Sequence, residues 1–406
     1  MTGTRAKAAV PRLRFKGREG AWTRQPIGEL FSERDERSAE GELLSVTIRH
    51  GVVHACDSGK ADSSSADKSH YKVVKIRDLA YNSMRMWQGA CGASKFDGIV
   101  SPAYTVIVPN AESDSEFFEY TFKRPEVLRQ FQRNSQGMTS DTWNLKFPLL
   151  KDICISCPEQ NTQVRIASAF RNFDKLILLE SSHLTSLRQL KRAMLVKMFP
   201  RPGQCVPEIR FKGFDDEWEY RTLGYYLQPS GTKNYAMKFS REDVLSVSGE
   251  YGIVNQIKFK GRSFAGASVE NYGVVERGDI VYTKSPLNQT PYGIIKANLG
   301  PAGIVSTLYA VYKVGECADP SFVQTYFSLD GRLNSYLRPL VRKGAKNDMK
   351  VSAEGALRGG VIFPSLSEQR KIAAFFRNLD RVIGAAEKKV AKLRQVKASL
   401  LERMFV

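Results

Sequence analysis

The segments VPRLRFKGREGAW (Val10–Trp22) and VPEIRFKGFDDEW (Val206–Trp218) are identical at seven of thirteen positions, with Leu13 facing Ile209. The likeness continues in the same order downstream. Leu44-Ser45-Val46 with Gly51 and Val53 returns as Leu245-Ser246-Val247 with Gly252 and Val254. YKVVKIRDLAY (Tyr71–Tyr81) returns as YGVVERGDIVY (Tyr272–Tyr282), and GIVSPAY (Gly98–Tyr104) as GIVSTLY (Gly303–Tyr309). A period near 200 residues is the duplication of a domain, not a solenoid repeat. The chain must therefore fold one plan twice, which agrees with a length of 406 residues, too long for one ordinary core.

The last block of each copy is the most alike. Pro158–Phe199 aligns without a gap on Pro364–Phe405, with 16 of 42 positions identical. Its apolar positions are spaced for a helix. In the first copy Ile166, Phe170, Phe173, Ile177, Leu184, Leu187, Met194 and Met198 follow a 4-3 spacing broken at Glu180 and Lys191. In the second, Ile372, Phe376, Leu379, Ile383, Ala386, Val390, Leu393, Leu400 and Met404 do the same. A stripe sustained for about five heptads predicts two helices packed along each other as an antiparallel coiled coil. Ile166, Phe170, Ile177, Leu187, Ile372, Phe376, Ile383 and Leu393 are the expected helix-packing positions. Asn161 and Ser367 are the expected helix starts. PRPGQCVP (Pro200–Pro207) cannot continue a helix, because proline lacks a donor and fixes φ.

The regions before the helices are rich in short β-branched runs separated by turn residues. The expected class is α/β in the α+β sense: two tandem strand-rich domains and two long helices related by a pseudo-two-fold. The expected boundaries are 1–160 and 208–366 for the domains, 161–199 and 367–406 for the helices, and 200–207 for the linker. A helix of 38 residues is roughly 57 Å long, so such a rod would hold two domains at a fixed spacing, and double-stranded DNA has the matching symmetry.

The net charge of +19 points to a polyanionic partner. The two helical segments, Arg165–Lys197 and Ser367–Val406, supply +11 of it. No run approaches a membrane span, and MTGTRAKAAVPRLRF lacks the apolar core of a signal peptide, so a cytoplasmic protein without a membrane partner is expected. The six cysteines have no disulfide-framework spacing. Cys154 and Cys157 form a CxxC with no second pair, and read as strand residues. His50, His54 and Cys56 lack a fourth ligand, so no metal site is expected there.

Two variable domains, each followed by a long helix ending in MF (Met198-Phe199, Met404-Phe405), with VPEIRFKGF…W opening the second half and PSLSEQRKIAAFFRNLD opening its helix, resemble the specificity (S) subunit of type I restriction-modification systems. The likeness covers essentially the whole chain, although the first half has NTQVR where the second has SEQR. The resemblance implies a DNA-reading subunit without catalysis of its own, in which each variable domain reads one half of a bipartite target. It implies that the helices set the gap and dock two modification (M) subunits. Those subunits use S-adenosylmethionine to methylate adenine, and restriction (R) subunits use ATP and Mg for translocation and cleavage.

The residues agree that the chain carries no cofactor. GxxxxGK[ST] is absent, no GxGxxG follows a strand, and SPAY (Ser101–Tyr104) has only one proline of the [DNS]PP[YF] loop expected of an adenine methyltransferase. A self-contained methyltransferase or nuclease is the rival reading, and a coiled-coil adaptor is the third.

Base-reading residues belong where the copies diverge, because different half-sites need different side chains on one scaffold. In the first domain these are Arg49, His50, Lys60, Asn82, Arg85, Gln88 and Lys95, with Trp87 expected to pack. In the second they are Lys258, Lys260, Arg262, Lys284, Ser285, Asn288, Gln289, Tyr292 and Lys296.

Overall fold

A computed structural model describes residues 10–17, 20–59, 64–266, 268–284, 289–343 and 349–406. The chain divides into two compact units, Met1–Ser181 with Lys389–Val406, and Ser182–Lys388. Each unit holds one copy of the strand-rich plan; every strand of the first has a counterpart in the second, which adds the short pair Arg342–Lys343/Met349–Lys350.

In the first unit a four-stranded antiparallel sheet runs in the order Phe31–Glu33, Tyr104–Pro109, Leu79–Asn82, Cys91–Ala93. Its counterpart in the second runs Leu227–Pro229, Tyr309–Val314, Ile280–Thr283, Ile295–Ala297. The repeated LSV and GxV stretches form the hairpins Leu44–Thr47/Gly51–His54 and Leu245–Ser248/Gly252–Asn255. The repeated YxVV and GIVS stretches pair with each other, as Lys72–Val74 with Gly98–Val100 and Gly273–Val275 with Gly303–Val305. The GIVS glycine is a packing requirement: a β-carbon on Gly98 or Gly303 would collide with the carbonyl oxygen of Glu42 or Asp243. Each unit adds a short helix capped by an aspartate. Asp114 accepts from the Phe117 N–H and Asp319 from the Phe322 N–H, both at 2.9 Å.

The long helices span Gln160–Lys197 and Leu366–Met404. Asn161 and Ser367 thus lie inside the first turns, correcting the expectation that they start the helices. NTQVR and SEQR prove equivalent at one residue. Gln163 Oε1 accepts from Asp114 N at 2.9 Å, and its Nε2 donates to Glu112 O at 3.2 Å and Pro158 O at 2.8 Å. Gln369 does the same with Asp319 N (3.0 Å), Cys317 O (3.0 Å) and Pro364 O (2.9 Å). Each buried amide pins the helix entrance to the loop before the Asp-capped helix.

The repeated VPxxRFKG stretch answers the other end. Leu13 N donates to Arg403 O at 2.8 Å and Ile209 N to Lys197 O at 2.9 Å, each satisfying a terminal helix carbonyl. The MF that follows enters the core beside the repeated tryptophan. In the first unit Phe405 stacks on Phe117 at 5.4 Å and lies 5.8 Å from Trp22 and 5.7 Å from Phe170. In the second, Phe199 lies 5.7 Å from Phe322, 5.9 Å from Trp218 and 6.2 Å from Phe376.

Within each unit the helix segments run antiparallel. Asp174 pairs with Lys397 and Glu180 with Lys389 in the first; Lys191 pairs with Asp380 and Arg188 with Glu387 in the second. The two breaks in the apolar stripe, Glu180 and Lys191, are therefore ion-pair positions. Ile166 and Phe170, and likewise Ile372 and Phe376, belong to the globular cores, in clusters that also take in the C-terminal end of the other long helix. Ile383 is buried, and Ile177, Leu187 and Leu393 are half-buried along the helices. Among the described residues no helix is long and apolar enough to cross a membrane.

Candidate nucleic-acid interface

In the first unit Arg49 and His50 occupy the exposed tip of the hairpin Leu44–Thr47/Gly51–His54. Thr47 Oγ1 fixes that tip by accepting from His50 N at 3.0 Å. The hairpin lies directly on the strand Cys91–Ala93. A β-carbon on Gly92 would meet the Gly51 backbone, so both positions need glycine for this approach, and Gly51 also has φ 63°. Lys95 follows that same strand and is exposed.

Asn82, Arg85 and Gln88 are brought together on one turn leaving the strand Leu79–Asn82. Asn82 Oδ1 accepts from Met84 N at 3.0 Å, and Arg85 and Gln88 close the next turn through Gln88 N→Arg85 O at 3.0 Å. Trp87 packs edge-on against Trp143 at 5.1 Å and donates to Met84 O at 3.2 Å. Arg85 comes within 3.9 Å of Asp141, a loose surface pair that leaves the guanidinium available.

In the second unit Lys258 and Lys260 sit on the short helix Gln256–Lys260, and Arg262 follows it; all three are exposed. Lys284 continues the strand Ile280–Thr283, half-buried. Gln289 is exposed, and its carbonyl accepts from Asn334 Nδ2 at 3.0 Å. Tyr292 is half-buried, its carbonyl accepting from Tyr282 OH at 2.7 Å. Gln289 and Lys296 line a groove of about 370 Å³ together with Glu250, Thr290 and Asp330. Burial pushes the Lys296 ammonium below its usual range and nearby Lys191 adds to that, while Asp330 and Asp380 oppose it. Lys258, Lys260 and Arg262 do not line this groove. Lys60, Ser285 and Asn288 lie outside the described residues.

The position of Lys296 is taken by Gly92 in the first copy. There the hairpin closes onto the strand, whereas a β-carbon on Gly252 would meet only open space. The same scaffold is closed in one unit and grooved in the other.

Cys154 and Cys157 behave as strand residues. Cys154–Cys157 is a strand paired with Thr23–Pro26, and Cys157 Sγ accepts from Gln25 Nε2 at 3.1 Å. Burial raises the Cys157 thiol and pushes Cys91 up to about 12, so neither is a thiolate near neutral pH. Among the described residues no group of three or more His, Cys, Asp and Glu could hold a metal ion.

On the long helices five of the six acids make ion pairs or hydrogen bonds within the chain, Glu402 being the exception among the described contacts. Asp174, Glu180, Asp380 and Glu387 each pair across to the other helix, and Glu368 receives a two-pronged bond from Arg210 at 2.8 Å. Arg377, Arg381, Lys392 and Arg394 stay exposed without an ion-pair partner among the described residues. Three exposed aromatic side chains beside the second basic cluster, Tyr251, Phe259 and Phe264, escaped the sequence reading. Their signal was in the alignment of the copies, since Thr47–Ser58 has no Phe, Tyr or Trp.

No protein-family model and no curated protein matches this chain. Solved structures do. The type I restriction-modification system S subunit from M. genitalium superposes with a TM-score of 0.56 at 15% identity, covering 98% of this chain and 99% of that one. The HsdS subunit from Thermoanaerobacter tengcongensis matches with a TM-score of 0.46 at 16% identity, covering 95% and 96%. A chain from a study of complex assembly in the type I R-M system gives 0.47 at 16%, covering 94% and 96%.

Proposed function

We propose that this chain, built on the fold of the type I S subunit, is the DNA sequence-specificity subunit of a type I restriction-modification complex. The observation that carries this reading is the duplicated scaffold with diverged surfaces. Buried positions, the glutamine at each helix entrance and the MF at each helix end correspond between the copies, while the exposed loops differ in both sequence and shape. A protein that recognises two different half-sites requires that division of labour.

In this reading the first domain contacts bases through Arg49, His50, Lys60, Asn82, Arg85, Gln88 and Lys95. The second uses Lys258, Lys260, Arg262, Lys284, Ser285, Asn288, Gln289, Tyr292 and Lys296. Arginine and lysine suit guanine, and asparagine or glutamine suits adenine, at about 1–3 kcal/mol of discrimination each. The helices set the gap and dock two M subunits. The exposure of Leu178 (70%) and Leu179 (58%) on the first helix supports a protein partner there. The chain itself is non-catalytic. S-adenosylmethionine belongs to the M subunits, and ATP and Mg to R subunits where they complete the system. The assembly works on double-stranded DNA in the cytoplasm.

The test is a methylome. Adenine methylation mapped in cells with and without the gene should differ at one gapped, bipartite motif; identical maps would reject the proposal.

A further inference from the structure

The second domain carries a feature that its scaffold does not need. Tyr251, at the hairpin tip, and Phe259, on the helix Gln256–Lys260, pack ring to ring at 5.3 Å yet remain 60% and 39% exposed. Phe264 is 58% exposed. Two of the rings carry a cation: Lys260 Nζ is 5.1 Å from the Phe259 centroid and Arg262 Cζ 4.7 Å from that of Phe264. Lys258 is exposed beside them.

The cluster is held in place. Asn255 caps the short helix by accepting from Lys258 N at 3.1 Å and donates to Glu242 O at 2.6 Å. Gln256 donates to Ser246 Oγ at 3.1 Å and accepts from Phe264 N at 2.6 Å, so the strand and the aromatic loop share one side chain. Ordered, exposed rings are costly to hydrate, and the first copy folds the same hairpin without any. Their chemistry selects the partner. Protein interface cores are depleted of lysine, whereas bases stack on aromatic faces and phosphates seek the flanking cations.

Resting on the specificity-subunit reading, we propose that Tyr251, Phe259 and Phe264 form a stacking surface for bases at an unstacked step of the second domain's half-site, with Lys258, Lys260 and Arg262 holding the adjacent phosphates. The second domain thus reads DNA partly through deformability, and the first through polar side chains alone.

The test uses the full chain with its two M subunits and duplexes selected from a random library. The wild-type complex should enrich two half-motifs. The variant Y251L/F259L/F264L keeps apolar bulk without π-faces. It should lose the second domain's half-motif, binding the wild-type target about tenfold or more weakly, and keep the first. Tyr251→Phe should behave as wild type. With 2-aminopurine scanned through that half-site, away from the methylated adenine, fluorescence should rise at one step for wild type and not for the leucine variant. Retention of both half-motifs within twofold affinity, or no rise at any position, overturns the stacking surface alone. A wild-type complex that enriches no motif overturns the specificity reading, and the stacking surface with it.

Discussion

Two buried glutamines show what single residues contribute. Gln163 and Gln369 are each 2% exposed or less, and each satisfies one backbone N–H and two carbonyls at the point where a long helix leaves its domain. Substituting Gln369→Leu strands all three groups, and one buried orphan costs about 1–3 kcal/mol. The expected loss is about 2–4 kcal/mol, seen as a lower urea midpoint by tryptophan fluorescence, with Gln163→Leu equivalent in the first unit. Gln189→Leu and Gln395→Leu supply the control. That pair is also identical between the copies but exposed, and should change stability by under about 0.5 kcal/mol. Identity between copies made all four residues visible in the sequence. It could not separate them, because two of the three partners of Gln163 and of Gln369 are backbone groups about fifty positions upstream, which no spacing encodes. For the same reason NTQVR looked unlike SEQR: the flanking residues differ while the one that forms the staple does not.

At the scale of elements the helices were legible as stripes, and their interruptions were not. Apolar periodicity locates Ile383 and Val390 on the packed face, and both are buried. It treats Lys191 and Glu180 as defects, whereas each is met at 2.5–2.6 Å by an opposite charge from the antiparallel partner. The pairs Asp174–Lys397 and Lys191–Asp380 are one interaction repeated by the duplication, since Asp380 and Lys397 stand in the second copy where Asp174 and Lys191 stand in the first. A charge at a stripe position specifies register, because any slip of the helices leaves it facing apolar side chains. Lys191→Asp and Asp380→Lys should each lower stability. The double variant should recover a coupling of about 0.5–1 kcal/mol, the range of a partly exposed pair, in a double-mutant cycle. A vanishing coupling would mean that the apolar positions alone fix the register.

For the molecule as a whole, the decisive property is that each unit has its own core. Trp22, Phe117 and Phe405 belong to one cluster, and Trp218, Phe322 and Phe199 to another. On the proposed function each reader is therefore mounted on a core of its own, and the effects of changes at distant sites that share no partner add. The copies share their framework and differ at the tips, down to Gly92 against Lys296 at one strand position, so the two halves of a target should be separately mutable. The variant N82A/R85A/Q88A removes three polar groups from one turn that bears no core residue except Met86. On the proposed function, in complex with two M subunits, it should relax or change one half of the methylated motif, leaving the other half and the gap between them intact. Removing each base-reading side chain should cost about 1–3 kcal/mol of discrimination, tens of fold in relative occupancy of the affected positions. Sequencing the methylated sites of the variant checks this directly. A change in both halves, or in the gap, would show that the readers are coupled and that the duplicated scaffold does not confer independence.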